Sequence, residues 1–182
     1  VLLVESFDTT GTLGLVTDNT DGPYGYDPNG QFATLANGEP ATDAFSYTVA
    51  DGKGGSDTAT VTITINGAND APTVSAPLTS RTDEDAAGLS LNLLEGATDA
   101  EGNALTVNAD SFITISGDGS GLSLSGNVLD IDPNAYNALA TDEQEIVQIS
   151  YTIEDGNGGT VTQTADITID GINDAPALAA AE

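Results

Sequence analysis

Two stretches of the chain alternate apolar and polar residues with a period of two. Phe45, Tyr47 and Val49 alternate with Ser46, Thr48 and Ala50; after the turn DGKGG, Val61, Ile63 and Ile65 alternate with Thr60, Thr62 and Thr64. Period two belongs to a strand buried on one face, and two such runs around a Gly-rich turn predict a hairpin, apolar on one side and threonine-rich on the other. Ile149, Tyr151 and Ile153 repeat the pattern before DGNGG, and Ile167 and Ile169 follow it. Helical periodicity is nearly absent. Its exceptions are DPNGQFATL, from Asp27, and DPNAYNAL, from Asp132, where Asp before Pro suits an N-cap and the first residue of a single helical turn.

The two hairpins are copies of one another. Residues 45–72 read FSYTVADGKGGSDTATVTITINGANDAP and residues 149–176 read ISYTIEDGNGGTVTQTADITIDGINDAP; Tyr47 and Tyr151 stand 104 positions apart (151 − 47), as do Asp51 and Asp155. A period of that length suits a whole domain in tandem rather than a solenoid unit. The pattern predicts an all-β chain of tandem Greek-key sandwiches, with modules at 1–72 and 73–182, the second ending in a linker. The second module extends back through LTVNADSF, ATDAEGN and RTDEDAAG, whereas the first begins at VLLVESFDTTGTLG, which corresponds to LTVNADSFITISGDGSG. Module one therefore lacks opening strands: either it was cut from a longer array or a strand from another molecule fills the edge.

Composition narrows the chemistry. The chain carries 2 basic and 29 acidic residues, a net −27, with no His, Cys, Met or Trp. That excludes the usual hydrolase triads, zinc fingers, haem and iron–sulfur ligation, and disulfides. Lys53 and Arg81 are the only cations, so the field repels nucleic acid and anionic lipid, and neither is expected as a partner. No stretch approaches the roughly 20 apolar residues of a membrane span, and no basic leader opens the chain, which reads as an excerpt or as a chain exported by other means. Disorder, the other outcome of high charge, is countered by the alternating apolar runs.

The hairpin and exit strand, YTVADGKGG then VTITINGANDAP, with DEDA and DAEGN in module two, resemble the VCBS and cadherin-like repeats of large bacterial surface adhesins, many exported by type I secretion. The resemblance implies an extracellular, cell-surface location and Ca²⁺ bound between consecutive modules. Carried over by residue, the junction inside this chain would use Asp27, Asn69 and Asp70 from the first module and its linker, with Asp99, Glu101, Asn103 and Asp155 from the second. Asp51 would face a preceding module. Glu84, with Asp83 or Asp85 nearby, would join Asp132, Asn173 and Asp174 in half a site toward a following one.

The donor chemistry stands apart from the resemblance. Ca²⁺ takes roughly 6 to 8 oxygen ligands, which Asp, Glu, Asn and carbonyls supply without His or Cys. Each residue also has an ordinary reading: Asp27 and Asp132 as helix caps, Asp51 and Asp155 as hairpin turn residues, and the Asn-Asp pairs as Asx-turns before Pro. Crowded carboxylates repel one another, and divalent ions would offset that repulsion, although a salty habitat also favours acidic surfaces.

The leading functional expectation is a non-enzymatic, calcium-stiffened extender of a surface adhesin, partnered by neighbouring modules or subunits. One alternative is a calcium-dependent polysaccharide-binding module, against which stand the absence of Trp and the core placement expected of Phe45, Tyr47 and Tyr151. Another is a filament subunit whose first module is completed by a neighbouring chain. Paired carboxylates could hydrolyse a glycoside, but here they fall in loops with no sign of a cleft. An isopeptide crosslink would need Lys53, which lies in a hairpin loop.

Overall fold

The computed structural model describes residues 2–19 and 24–174. The chain forms two compact units, Val1–Asp70 and Ala71–Glu182. Unit 1 contains β1 (Leu3–Asp8), β2 (Leu15–Thr17), β3 (Gly25–Asp27), β4 (Pro40–Ala50) and β5 (Ser56–Asn66). Unit 2 contains β6 (Thr73–Val74), β7 (Leu78–Asp83), β8 (Leu89–Asn92), β9 (Ala97–Thr98), β10 (Thr106–Ser116), β11 (Leu122–Ser125), β12 (Val128–Ile131), β13 (Gln144–Glu154) and β14 (Thr160–Asp170).

Unit 2 is a β-sandwich built around the second hairpin. β13 and β14 pair in antiparallel register from Gln144↔Asp170 to Glu154↔Thr160. One face of β13 carries Val147, Ile149, Tyr151 and Ile153, and the matching face of β14 carries Ala165, Ile167 and Ile169, all fully buried. β10 on one side and β7 on the other complete a sheet ordered β10-β13-β14-β7. The second sheet, β11-β12-β8, contributes Leu129 and Ile131 to the same core. At roughly 1.5–3 kcal/mol for each large apolar side chain removed from water, this shared face is the main source of the unit's stability. Tyr151 satisfies its buried hydroxyl by donating to Leu93 O at 2.8 Å, and burial pushes its pKa up to about 12.

Unit 1 repeats the plan with each sheet one strand narrower. β1-β4-β5 corresponds to β10-β13-β14, and β2-β3 to β11-β12. Strands equivalent to β6, β7, β8 and β9 are absent among the described residues. Phe45 is buried, but Val61, Ile63 and Ile65 on β5 are only half-buried where their counterparts on β14 are enclosed.

The interior of unit 1 also differs in kind. Asp43 occupies the place of Val147, and Tyr26 that of Ile131, which precedes Asp-Pro-Asn as Tyr26 does. Asp43 is 6% exposed. Its Oδ2 accepts the Tyr26 hydroxyl at 2.7 Å and the amides of Leu13 and Gly14 at 3.0 and 2.9 Å. An apolar pair in one copy is thus a hydrogen-bonded polar pair in the other. Desolvation, then the Asp43 carboxylate, raises the Tyr26 pKa to about 12.

The two predicted helical turns diverge. Residues 133–136 form a four-residue 3₁₀ helix capped by Asp132, whose Oδ1 accepts Asn134 N at 3.1 Å. The equivalent segment after Asp27 is a run of turns, because Asn29 and Gly30 adopt φ of 52° and 69°, outside the helical region.

Replacing Tyr151 by Phe leaves Leu93 O buried without its donor, and a loss of about 1–3 kcal/mol is expected. Denaturant unfolding followed on the unit 2 signal measures it, and an unchanged midpoint would show that the hydroxyl contributes nothing.

Candidate metal centre

Three acidic loops share one local construction. Asp51 Oδ1 accepts the amides of Lys53 and Gly55 at 2.7 and 3.0 Å. Asp155 Oδ1 accepts those of Asn157 and Gly159 at 2.7 and 3.0 Å, and its Oδ2 accepts Gly159 N at 3.1 Å. Asp99 Oδ1 accepts those of Glu101 and Asn103 at 3.1 and 2.9 Å. In each case one aspartate gathers the amides two and four residues ahead, which closes the loop and fixes the carboxylate. The turn role read from sequence for Asp51 and Asp155 is present, and Asp99 shares it, which leaves the second oxygen of Asp99 for other work. That atom, Asp99 Oδ2, is buried and accepts no hydrogen bond; Glu101 Oε2 is likewise screened from solvent.

Strand pairing places the Asp99 and Asp155 loops within unit 2. β6 pairs β9 through Thr73↔Thr98, so Asp99 stands beside the point where the chain enters the unit. Thr106↔Glu154 closes the β10–β13 ladder, which sets the Glu101–Asn103 loop leading into β10 at the same pole as Asp155. Asp155 is 4% exposed. One pole of unit 2 thus carries Asp99, Glu101, Asn103 and Asp155.

The opposite pole carries Glu84, Asp132, Asn173 and Asp174. Glu84 is fully enclosed; its Oε1 accepts Ile172 N at 2.9 Å and its Oε2 accepts Leu139 N at 3.2 Å. It fastens the exit of β7 to two later segments, a role the sequence did not reveal because both donors are backbone amides. Asp132 caps the 3₁₀ helix. Asn173 is exposed and donates through Nδ2 to Asp174 O at 3.1 Å.

In unit 1, Asp27 Oδ1 accepts Asn29 N at 2.8 Å, and Asn69 Nδ2 donates to Asp70 O at 3.1 Å. Both Asn-Asp linkers therefore hold the same local conformation. Asp51 lies at the far end of unit 1, at the tip of the β4–β5 hairpin. Residues 175 and 176, which complete the second NDAP motif, lie outside the described residues.

The donors at the entry pole of unit 2 are all oxygens, and one of them is orphaned in the interior, which is the chemistry a hard divalent cation takes. Among the described residues, no group of three or more Asp or Glu is drawn together closely enough to hold a metal by itself. Asn103, backbone carbonyls and water would have to complete any shell. The set fits Ca²⁺, which tolerates mixed and irregular oxygen donors, better than Mg²⁺, which demands near-ideal octahedral geometry.

A family model for the bacterial cadherin-like domain matches residues 2–67, and one for the bacterial Ig domain matches residues 69–168. The chain is a bacterial cadherin-like domain followed by a bacterial Ig domain. Domains of these families are structural modules of extracellular proteins. None of the curated proteins compared with this tandem matches it. Among solved structures, human mucin-like protocadherin EC1-2 is 15% identical, covering 72% of this chain and 69% of its own, with a TM-score of 0.44. Mouse protocadherin-24 EC1-3 is 14% identical over 94% of this chain and 58% of its own, with a TM-score of 0.46. An endo-fucoidan hydrolase from glycoside hydrolase family 107 is 22% identical over 94% of this chain, which spans only 23% of that protein, with a TM-score of 0.34. The sandwich assignment rests on the observed sheets and the family models. No helix among the described residues is long and apolar enough to cross a membrane.

Backbone amides of Lys53 and Gly55 hold the Asp51 carboxyl below its ordinary 3.8, and Arg81 does the same for Asp170, which it meets through two hydrogen bonds of 2.6 and 2.8 Å. A carboxyl lowered by folding contributes stability that is present above 3.8 and is lost as pH falls through the folded value. The cadherin-like–Ig tandem should therefore lose melting temperature below that pH, and Asp170→Asn should flatten the slope for unit 2. Thermal melts between pH 5 and about pH 2 test this; identical slopes in both proteins would contradict it.

Proposed function

We propose that this tandem is a spacer of a bacterial surface adhesin, stiffened by Ca²⁺ held at its module ends. The observation that carries the reading is Asp99 Oδ2, a buried carboxylate oxygen with no hydrogen-bond donor, on the same pole of unit 2 as Asp155. An ionised oxygen kept from water without a counter-charge is costly, and a cation is the partner that removes the cost without a basic side chain. The chain has only two of those. Asp99, Glu101, Asn103 and Asp155 would hold the ion at this pole. A bound Ca²⁺ would supply the positive charge that lets these groups stand close together.

The chain's own residues do the preparatory work. Amides of Glu101 and Asn103 fix Asp99 through Oδ1, and amides of Asn157 and Gly159 fix Asp155, so the ligands need little reordering on binding. The exit-pole residues Glu84, Asp132, Asn173 and Asp174, together with Asp27, Asp51, Asn69 and Asp70 of unit 1, belong to the same proposal as ligands toward adjoining modules. Cell adhesion, biofilm formation and a surface location follow as its biological setting. The work is mechanical, and no catalytic step is assigned.

Calorimetric titration of the 182-residue chain with CaCl₂ should give saturable binding and a higher unit 2 melting temperature. At a free ion concentration 100 times Kd the stabilisation is about 2.7 kcal/mol. Asp99→Asn keeps an acceptor for the two loop amides but replaces the orphaned oxygen; it should fold, and it should lose at least tenfold in affinity. Scattering should show a stiffer particle in Ca²⁺ than in EDTA. Melting curves and scattering profiles unaffected by chelation would refute the proposal.

A further inference from the structure

Asn29, Asn37, Asn66 and Asn157 each precede a glycine, and all of them are exposed. In such a pair the glycine nitrogen can attack the asparagine side-chain carbonyl, because no Cβ hinders its approach. The fold decides where that nitrogen is available. The Gly38 amide donates to Gly67 O at 2.9 Å and the Gly67 amide to Glu39 O at 2.8 Å, so after Asn37 and Asn66 the attacking group is committed to a backbone bond. Gly67 is also packed so tightly that a Cβ there would stand 2.2 Å from Ala36 O. The amides of Gly30 and Gly158, in contrast, donate to no acceptor among the described residues. A Cβ on either of these glycines would meet nothing within 4 Å.

Of the two open pairs, Asn157–Gly158 sits where a change in the backbone matters most. It lies at the tip of the β13–β14 hairpin, in the loop that Asp155 closes. Asn157 N donates to Asp155 Oδ1 at 2.7 Å, and Gly159 N donates to Oδ1 and Oδ2 at 3.0 and 3.1 Å. The Asn157–Gly158 peptide bond therefore runs between the two amides that grip one carboxylate. The hairpin of unit 1 closes on Asp51 in the same way, through Lys53 and Gly55, but it carries Lys53 in place of Asn157 and has no side-chain amide to lose. At Asn29 the loop aspartate, Asp27, accepts only the Asn29 amide, so no pair of donors spans the reactive bond there.

We propose that Asn157–Gly158 is a self-modifying site whose conversion to isoaspartate releases the Asp155 carboxylate from its clamp. Gly158 N gives up its proton and bonds to Asn157 Cγ; the side-chain nitrogen takes up a proton and leaves as ammonia, closing a five-membered succinimide. Water then opens the ring. Attack at Cγ yields aspartate on an unaltered main chain. Attack at the main-chain carbonyl carbon yields isoaspartate, in which the chain runs on through Cβ and Cγ. That product places one extra methylene between the Asn157 and Gly159 amides, and the loop can no longer present both to Asp155. Either product also adds a negative charge beside a carboxylate that is 4% exposed. The hairpin of unit 2 thus loosens irreversibly with the age of the chain, while that of unit 1 does not. The inference does not rest on a metal at this pole.

The test ages the full chain in EDTA at mildly alkaline pH and follows each asparagine by peptide mapping, with isoaspartate and aspartate products separated by chromatography. Asn157 should convert about tenfold or more faster than Asn37 and Asn66, whose glycine amides must first be freed by local opening. In aged protein, amide exchange read by NMR should show the Asn157 and Gly159 protection lowered about tenfold as their bonds to Asp155 are lost. The Lys53 and Gly55 amides should be unchanged. Asn157→Lys, which copies the loop of unit 1, should fold and should keep its Gly159 protection through the same ageing. Conversion at Asn157 no faster than at Asn37 and Asn66 would overturn the proposal. So would isoaspartate at residue 157 with the Gly159 amide still protected, or equal loss of that protection in the lysine variant. Because every arm is run in EDTA, a failure here leaves the calcium reading standing, and the reverse.

Discussion

Everything in unit 2 follows from the need to cover one face of the β13–β14 hairpin. Val147, Ile149, Tyr151, Ile153, Ala165, Ile167 and Ile169 form a continuous apolar surface that a single sheet cannot remove from water. A second sheet must lie over it, and β11-β12-β8 does so with Leu129 and Ile131. The threonine-rich opposite face can stay wet, so two layers suffice. Core-facing strand positions are committed to packing, and in unit 2 Glu84, Asp99, Glu101, Asp132 and Asp155 lie in the loops at either end.

On the proposed Ca²⁺ reading, a turn residue in those loops is also a ligand. An aspartate that gathers two backbone amides through one oxygen has its side-chain torsions fixed, and its other oxygen is aimed by the fold. At Asp51 and Asp155 this construction sits in a hairpin tip; at Asp99 it sits in a crossover loop, where the second oxygen ends up buried. Capping and ligation are therefore not rival explanations. On that reading the first prepares the second, and what would set a metal-ready turn apart from a structural one is that its remaining oxygen faces the interior.

The alternation of Phe45, Tyr47 and Val49 with polar neighbours, and the matching run at 149–153, made the hairpins legible, because burial on one face leaves a period-two mark that no other element produces. The 104-residue offset made the tandem legible for the same reason. The poles were harder. Spacing in DAEGN announces a tight loop but not which oxygen it hides, and Glu84 in RTDEDA looks like any solvated acid although it is fully enclosed. What decides its fate is a pair of backbone donors, Leu139 and Ile172, 55 and 88 residues away. Backbone donors carry no sequence signature, so such a contact cannot be read from the chain. The divergent turn after Asp27 was legible in principle, since Gly30 replaces Ala135 of the helical copy.

The repeat also shows that matched positions can keep a fold while exchanging its chemistry. Ile131 and Val147 both belong to the hydrocarbon core of unit 2, whereas Tyr26 and Asp43 meet as donor and acceptor in unit 1. Either change alone would be unfavourable, since Asp43 against an isoleucine would lose its hydroxyl donor and Tyr26 against a valine would lose its acceptor. Made together, with the Leu13 and Gly14 amides completing the carboxylate's shell, the exchange is tolerated. A saturated polar contact specifies the position of β2 and β3 over β4 by direction rather than by area.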